Sequence, residues 1–314
     1  MKESSSYHLT KILVTIGPAS NSVDKIQALI DAGANCFRLN FSHGTQEEHR
    51  KVYENIRQCE EKSNYPVGVI ADLQGPKLRI AGMPEGGSRI ASGDRITLKL
   101  GSKTGDGKTC FLPHPEIFAA VQSQSILLVD DGRIRLQVIE CSDQQLQAQV
   151  LVGGVLKSNK GVNLPGAMLP LSAITERDEE NLRFALDLGV DWVALSFVQS
   201  PEDLEKARKL IDGRAKLIAK IEKPLAVEKI DDIVDASDGI MIARGDLGVE
   251  VDAAEVPALQ KRLIRLCRIK SRPVIVATQM LESMTASPTP TRAEASDVAT
   301  AVYEGADAVI LSAE

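Results

Sequence analysis

Paired cysteines are the first thing this chain lacks. Its five cysteines, Cys36, Cys59, Cys110, Cys141 and Cys267, are odd in number and none forms a C-x-x-C pair. That argues against a disulfide framework or a cysteine metal site and favours a reducing compartment, so a cytoplasmic location is expected. Residues 1–6 (Met-Lys-Glu-Ser-Ser-Ser) hold no apolar stretch, so no secretory signal is expected. No apolar run reaches the ~18 residues that cross a bilayer, so no membrane partner is expected. An excess of basic charge is also missing: the net charge is −6, and no global field favours nucleic acid or an anionic membrane. A local basic pocket remains open. The remaining composition, 43% hydrophobic and 25% charged, is that of an ordinary soluble globular protein, and 314 residues suffice for one large domain or two smaller ones.

What is present is rhythm. Eight short apolar runs recur, at residues 11–16, 36–41, 67–73, 192–197, 216–221, 240–243, 273–277 and 308–311. They are continuously apolar, not alternating, which suits parallel strands buried on both faces. Between them lie helical spacings that close on glycine: Gly33, Gly189 and Gly305 each follow a periodic apolar segment and precede the next strand. Glycine at that position adopts the left-handed conformation without a Cβ clash. Thr175, followed by Asp178 and Glu179, reads as an N-cap. The expected fold class is α/β: a (β/α)8 barrel with its helices outside.

The rhythm breaks between about residues 80 and 167. Period-two alternation appears at 95–100 and 133–138, with turn signals at Asp131-Gly132 and Gly153-Gly154. This predicts a small antiparallel β-barrel domain, 80–167, inserted after the third strand. Residues 1–79 and 168–314 then form a discontinuous barrel of roughly 225 residues, near the lower end of the usual size. The sequence stops at Glu314, directly after the eighth strand. The expectation is therefore an open seam between the eighth strand and the first, lacking the helix that normally covers it, in a fragment or a barrel finished by another chain.

Chemistry-bearing residues sit where these strands end, and a (β/α)8 barrel gathers such ends at one mouth. Lys220 and Glu222 are two apart and share a face. A buried ammonium there would stabilise a developing anion while the carboxylate holds a metal; taken alone, the pair equally fits a surface ion pair. Asp246 lies between Gly245 and Gly248, where backbone N–H groups can approach an anion, and would share a divalent cation with Glu222; a capped turn is the plainer alternative. Arg38, Asn40 and Ser42 share one face, with His43 just beyond. Arg38 suits bidentate phosphate recognition, and the Asn and Ser oxygens suit a hard monovalent cation. Asp72, Lys77 and Arg79 lie on a turn leading into the insert, which also fits a charged linker. Thr278 places a hydroxyl at a strand end.

Taken together, these segments resemble the pyruvate kinase family. The carriers are Thr15-Ile16-Gly17-Pro18, Arg38-Leu39-Asn40-Phe41-Ser42-His43-Gly44, Asp72-Leu73-Gln74-Gly75-Pro76-Lys77-Leu78-Arg79 and Asp130-Asp131-Gly132. Further on come Lys160-Gly161-Val162-Asn163-Leu164-Pro165-Gly166, Lys220-Ile221-Glu222, Ala243-Arg244-Gly245-Asp246-Leu247-Gly248 and Ala277-Thr278-Gln279-Met280-Leu281-Glu282. The resemblance implies phosphoryl transfer from phosphoenolpyruvate to ADP, giving pyruvate and ATP. It implies that Arg38 binds the phosphoryl group and that Lys220 stabilises phosphoryl and enolate charge. Glu222 and Asp246 would bind Mg²⁺ (or Mn²⁺), with the Gly245 N–H and Thr278 on the substrate carboxylate. Arg79 and Lys160 would contact nucleotide phosphates, with Asn40, His43 and Pro18 nearby. Asn40, Ser42, Asp72 and the Leu73 carbonyl match the family's K⁺ site, and Ser312 and Glu314 resemble its proton relay. The insert resembles the family's lid.

Lys77 stands where K⁺-requiring members carry Glu, so its ammonium is expected to replace K⁺. The resemblance implies a homo-oligomer whose effectors bind a C-terminal domain, and that domain is not expected within these 314 residues. Two other readings stay open at this point: an inactive fragment that binds Mg²⁺ and phosphoenolpyruvate, or a partner chain, without turnover, and a metal-dependent lyase of the same substrate group.

Overall fold

The computed structural model describes residues 8–63 and 65–314; residues 1–6, read above for a targeting signal, lie outside that range. Eight parallel strands close into a barrel: β1 (Lys11–Thr15), β2 (Cys36–Asn40), β3 (Gly68–Asp72), β4 (Trp192–Leu195), β5 (Lys216–Ile221), β6 (Gly239–Ala243), β7 (Val274–Ala277) and β8 (Ala308–Leu311). Each pairs with its sequence neighbour, and β8 returns to β1 with Lys11 opposite Ala308 and Val14 opposite Leu311. The seam is thus hydrogen-bonded, contrary to the open edge expected from the sequence. Strand tilt and twist bring the last strand to the first, and backbone pairing needs no covering helix. The outer face there is less covered than elsewhere: Ile12, Val14 and Leu311 are half-buried, whereas Val193 and Leu217 are fully buried.

Helices form where the sequence supplies caps. Thr45, Thr175 and Thr291 each accept from the backbone N–H three residues on. An acid at that third position, Glu48, Asp178 or Glu294, reaches back to the cap N–H. Two orphan donors are satisfied at each start, which sets Gln46–Lys62, Glu176–Leu188 and Arg292–Glu304. Gly189 and Gly305 end the latter two at φ 89° and 98°.

The barrel has two apolar layers. Leu13, Ile70, Ile218, Met241, Ile275 and Ile310 fill the inside, while Phe37, Leu39, Val193, Leu217 and Val276 pack outward against the helices. Between β3 and β4 the chain builds a six-stranded and a two-stranded sheet with a separate core, including Ile96, Leu98, Leu127, Leu136 and Val150. Most pairs there are antiparallel, but Arg95–Leu100 and Thr109–Leu112 run parallel. No described helix is long and apolar enough to cross a membrane.

Candidate active site at the strand ends

The strand ends β2, β3 and β5 converge on one buried charge cluster. Asn40 lies opposite Asp72 across β2 and β3, so Arg38, two residues earlier, points to the same side. Its Nε donates to Asp72 Oδ2 at 2.6 Å, and its Nη1 donates to Thr15 Oγ1 at 3.1 Å. Lys220, on β5, donates from Nζ to Asp72 Oδ1 at 3.0 Å and to Ser196 Oγ at 2.7 Å, and lies 3.0 Å from Glu222 Oε1. The Ser196 hydroxyl in turn donates to the Leu73 carbonyl at 2.7 Å. Glu222 Oε2 accepts from the Phe197 N–H at 2.9 Å.

Electrostatics inside the cluster follow from burial and pairing. Burial works against the charge of Asp72, but Lys220 and Arg38 outweigh it and hold the carboxyl below the usual range. Burial likewise disfavours the Lys220 ammonium, and Asp72 and Glu222 reverse this and raise its pKa. Glu222 goes the other way: burial raises its pKa, Lys220 opposes that, and the like charge of Asp246 pushes it further up. Two carboxylates that repel one another beside a cleft are the setting a divalent cation relieves. Asp246 is exposed and neither accepts a hydrogen bond nor forms an ion pair among the described residues, so its oxygens are open to such an ion. Among the described residues no group of three or more His, Cys, Asp or Glu gathers as a metal cluster.

A second constellation stands on β6 and β7. Thr278 has φ 71° and Gln279 φ 56°, a left-handed pair that is costly for a β-branched residue. Arg244 holds it in place: its Nη2 and Nε donate to the Thr278 carbonyl at 2.6 and 3.2 Å, and its Nη1 binds Asp297 at 2.8 Å. The Gly245 N–H donates to Thr278 Oγ1 at 2.7 Å. A Cβ on Gly245 would come within 3.2 Å of that oxygen, so glycine permits the approach. Asp246 and Leu247 continue into the short helix Arg244–Glu250. A cleft of roughly 1000 Å³ opens here, lined by Lys77, Asp131, Gly245, Asp246, Thr278 and Glu282. A separate cavity of about 780 Å³ lies at the opposite, N-terminal end of the barrel and contains none of these groups.

The remaining candidates lie around the cluster. Ser312 Oγ is 3.4 Å from Thr15 Oγ1, and Glu314 accepts from the Ser312 N–H at 2.5 Å. Asn40 Oδ1 accepts from the Ser42 N–H at 3.1 Å, and the Asp72 and Leu73 oxygens accept from Arg38, Lys220 and Ser196, so three of the four residues read as a K⁺ site already hold hydrogen bonds at their oxygens. Lys77 is exposed and forms no ion pair with Asp72. Arg79 and Lys160 stand together at the root of the inserted sheets. Arg79 donates to the Asn159 carbonyl at 2.9 Å, and Lys160 pairs with Asp130 at 2.6 Å. His43 and Pro18 are exposed on the loops after β2 and β1, with the His43 carbonyl 2.9 Å from His49 Nε2. Sequence reasoning missed Ser196, Thr15 and Arg244. Ser196 directly follows β4 and Thr15 ends β1, so strand position was an available signal; the role of Arg244 depends on its distant partner Asp297.

A closed barrel carrying a desolvated lysine between carboxylates at its C-terminal mouth defines a (β/α)8 enzyme whose chemistry belongs to the strand ends. Comparison with known proteins narrows the class. The family model described as pyruvate kinase, barrel domain, matches residues 7–314. A pyruvate kinase of Agrobacterium vitis is 54% identical over 306 residues, covering 97% of this chain and 64% of that protein. One from Methylorubrum extorquens is 50% identical over 305 residues with the same shares, and one from Geobacillus stearothermophilus is 44% identical over 311 residues, 53% of its length. The chain belongs to the pyruvate kinase family. It spans 53% to 64% of the length of these curated relatives.

Proposed function

We propose that this protein transfers the phosphoryl group of phosphoenolpyruvate to ADP, yielding pyruvate and ATP, a glycolytic reaction. The observation that carries this reading is Lys220, a buried ammonium kept protonated by Asp72 and Glu222 and sharing the Asp72 carboxylate with Arg38. The bond between phosphorus and the enol oxygen breaks, a bond from phosphorus to a β-phosphate oxygen of ADP forms, and the enolate carbon takes up a proton. Little covalent chemistry is asked of the protein; charge and position do the work.

In this reading Arg38 grips the phosphoryl oxygens, and Lys220 faces the oxygens that gain charge. Thr278 and the Gly245 N–H receive the substrate carboxylate, which then replaces their mutual hydrogen bond. Arg79 and Lys160 bind nucleotide phosphates, with Asn40, His43 and Pro18 beside them. Ser312 and Glu314, linked through the Ser312 N–H, relay the proton. Glu222 and Asp246 would hold a divalent cation, Mg²⁺ or Mn²⁺, whose Lewis acidity neutralises phosphate and enolate charge. Residues 80–167 act as a lid on a barrel made of 1–79 and 168–314. The protein works in the cytoplasm with no nucleic-acid or membrane partner, and it associates as a homo-oligomer.

The deciding experiment is pyruvate formation from phosphoenolpyruvate, ADP and Mg²⁺ beside Lys220→Met. The substitution removes a preorganised cation, and a loss on the order of 100-fold or more in kcat is expected. Undiminished turnover in Lys220→Met removes the lysine from the mechanism, and no turnover in the unaltered chain overturns the reading.

A further inference from the structure

One buried ion pair is used by nothing described above. Lys223 and Glu250 are each 6% exposed, and their Nζ and Oε1 lie 2.5 Å apart. The same Glu250 oxygen accepts from Asn163 Nδ2 at 2.7 Å, while Oε2 is buried and has no partner among the described residues. Asn163 belongs to the inserted sheets: it ends the strand Val162–Asn163, which pairs antiparallel with Ile126–Val129. Lys223 and Glu250 belong to the barrel: Lys223 lies two residues past the end of β5, and Glu250 ends the short helix Arg244–Glu250 that follows β6. A single carboxylate oxygen therefore joins the two parts. A pair built for stability alone would gain by satisfying both oxygens, because a desolvated acceptor left empty is unfavourable.

Each partner of Glu250 leads toward the candidate site. Asn163 is three residues from Lys160, which pairs with Asp130 across the same pair of strands. Lys223 Nζ lies 5.7 Å from the centre of the Phe197 ring, and the Phe197 N–H holds Glu222. Phe197 itself is at φ 57°, a conformation that needs support from its surroundings. We propose that Glu250 is a positioning residue: through Asn163 it sets how the inserted sheets, and with them Lys160, stand over the barrel mouth. Both donors draw on one oxygen, so the latch opens when the Asn163 contact alone is lost and leaves Lys223 paired.

The kinetic part of the test rests on the phosphoryl-transfer reading; the structural part does not. Spin labels on the exposed Cys141 of the inserted sheets and on Glu180→Cys of the barrel, with Cys36→Ser to limit labelling, report the distance between the two parts. The latched chain is expected to give one narrow distribution, and Asn163→Ala a broader or shifted one. Loss of a hydrogen bond to a charged group should raise KM for ADP about tenfold, while phosphoenolpyruvate affinity and kcat at saturating ADP change little. Asn163→Leu, close in shape but without the amide donor, should move the label distance the same way. A lowered Tm with unmoved label distances in both variants overturns the latch. So does an equal effect on both substrates. If the unaltered chain shows no turnover, the phosphoryl-transfer reading falls, and the label distances still decide the latch.

Discussion

Lys220 holds its proton because two carboxylates face it where water does not. That assignment was readable as a pattern, Lys220-Ile221-Glu222 at a strand end, but its partner Asp72 is 148 residues away and only folding supplies it. Ser196 is a milder case: its place just after an apolar run was a signal, but its role needs Lys220 and the Leu73 carbonyl, which only folding sets on either side of it. Lys77 is a case where the residue was found and its contact was not. Its ammonium lies on the cleft wall and leaves Asp72 to Arg38 and Lys220. Two fixed cations on Asp72 leave that carboxylate little charge to offer K⁺. We therefore expect activity in a Na⁺- and K⁺-free buffer to depend weakly on KCl, and Lys77→Glu to introduce a dependence. Rates measured across a KCl series check this, and a strict K⁺ requirement in the unaltered chain refutes it.

At the scale of elements, caps and strand ends account for most of what was foreseen. The run at 36–41 is observed as Cys36–Asn40, and the glycine stops at Gly189 and Gly305 take the left-handed conformation expected of them. The left-handed turn at Thr278 and Gln279 was not foreseen, since no glycine announces it and Arg244 enforces it from another loop. The helix Arg292–Glu304 begins on a capping box in which Glu294 also accepts from the Ser283 hydroxyl and N–H. Those donors, with Thr291, depress its carboxyl from 4.5 to about 2. A depressed acid stabilises the fold above its unfolded pKa, and the contribution disappears as pH falls from about 4.5 toward 2. Glu294→Gln should lower Tm at pH 7, and the difference from the unaltered chain should shrink through that window. Thermal unfolding at stepped pH tests it, and a difference that persists below the window refutes it.

At the scale of the molecule, two cores stand side by side. The inserted sheets bury their own set of side chains, and Leu136 among them is fully buried. Leu136→Ala is expected to cost about 2–5 kcal/mol through lost contacts and a residual cavity. The loss should fall on the inserted sheets: amide exchange there should accelerate while β5 and β6 stay protected. Exchange that accelerates equally in both parts would show one cooperative unit. Alone, the sequence determined the alternation of strand and helix, the place of the insert and the class of residue at each strand end, because periodicity, caps and turn residues act over a few positions. Tertiary structure decided the β8–β1 closure, the shared carboxylate of Asp72, the strained turn at Thr278 and the Asn163–Glu250–Lys223 latch. Each joins groups far apart in the chain, and such pairings are set by barrel register and burial, which no local pattern encodes.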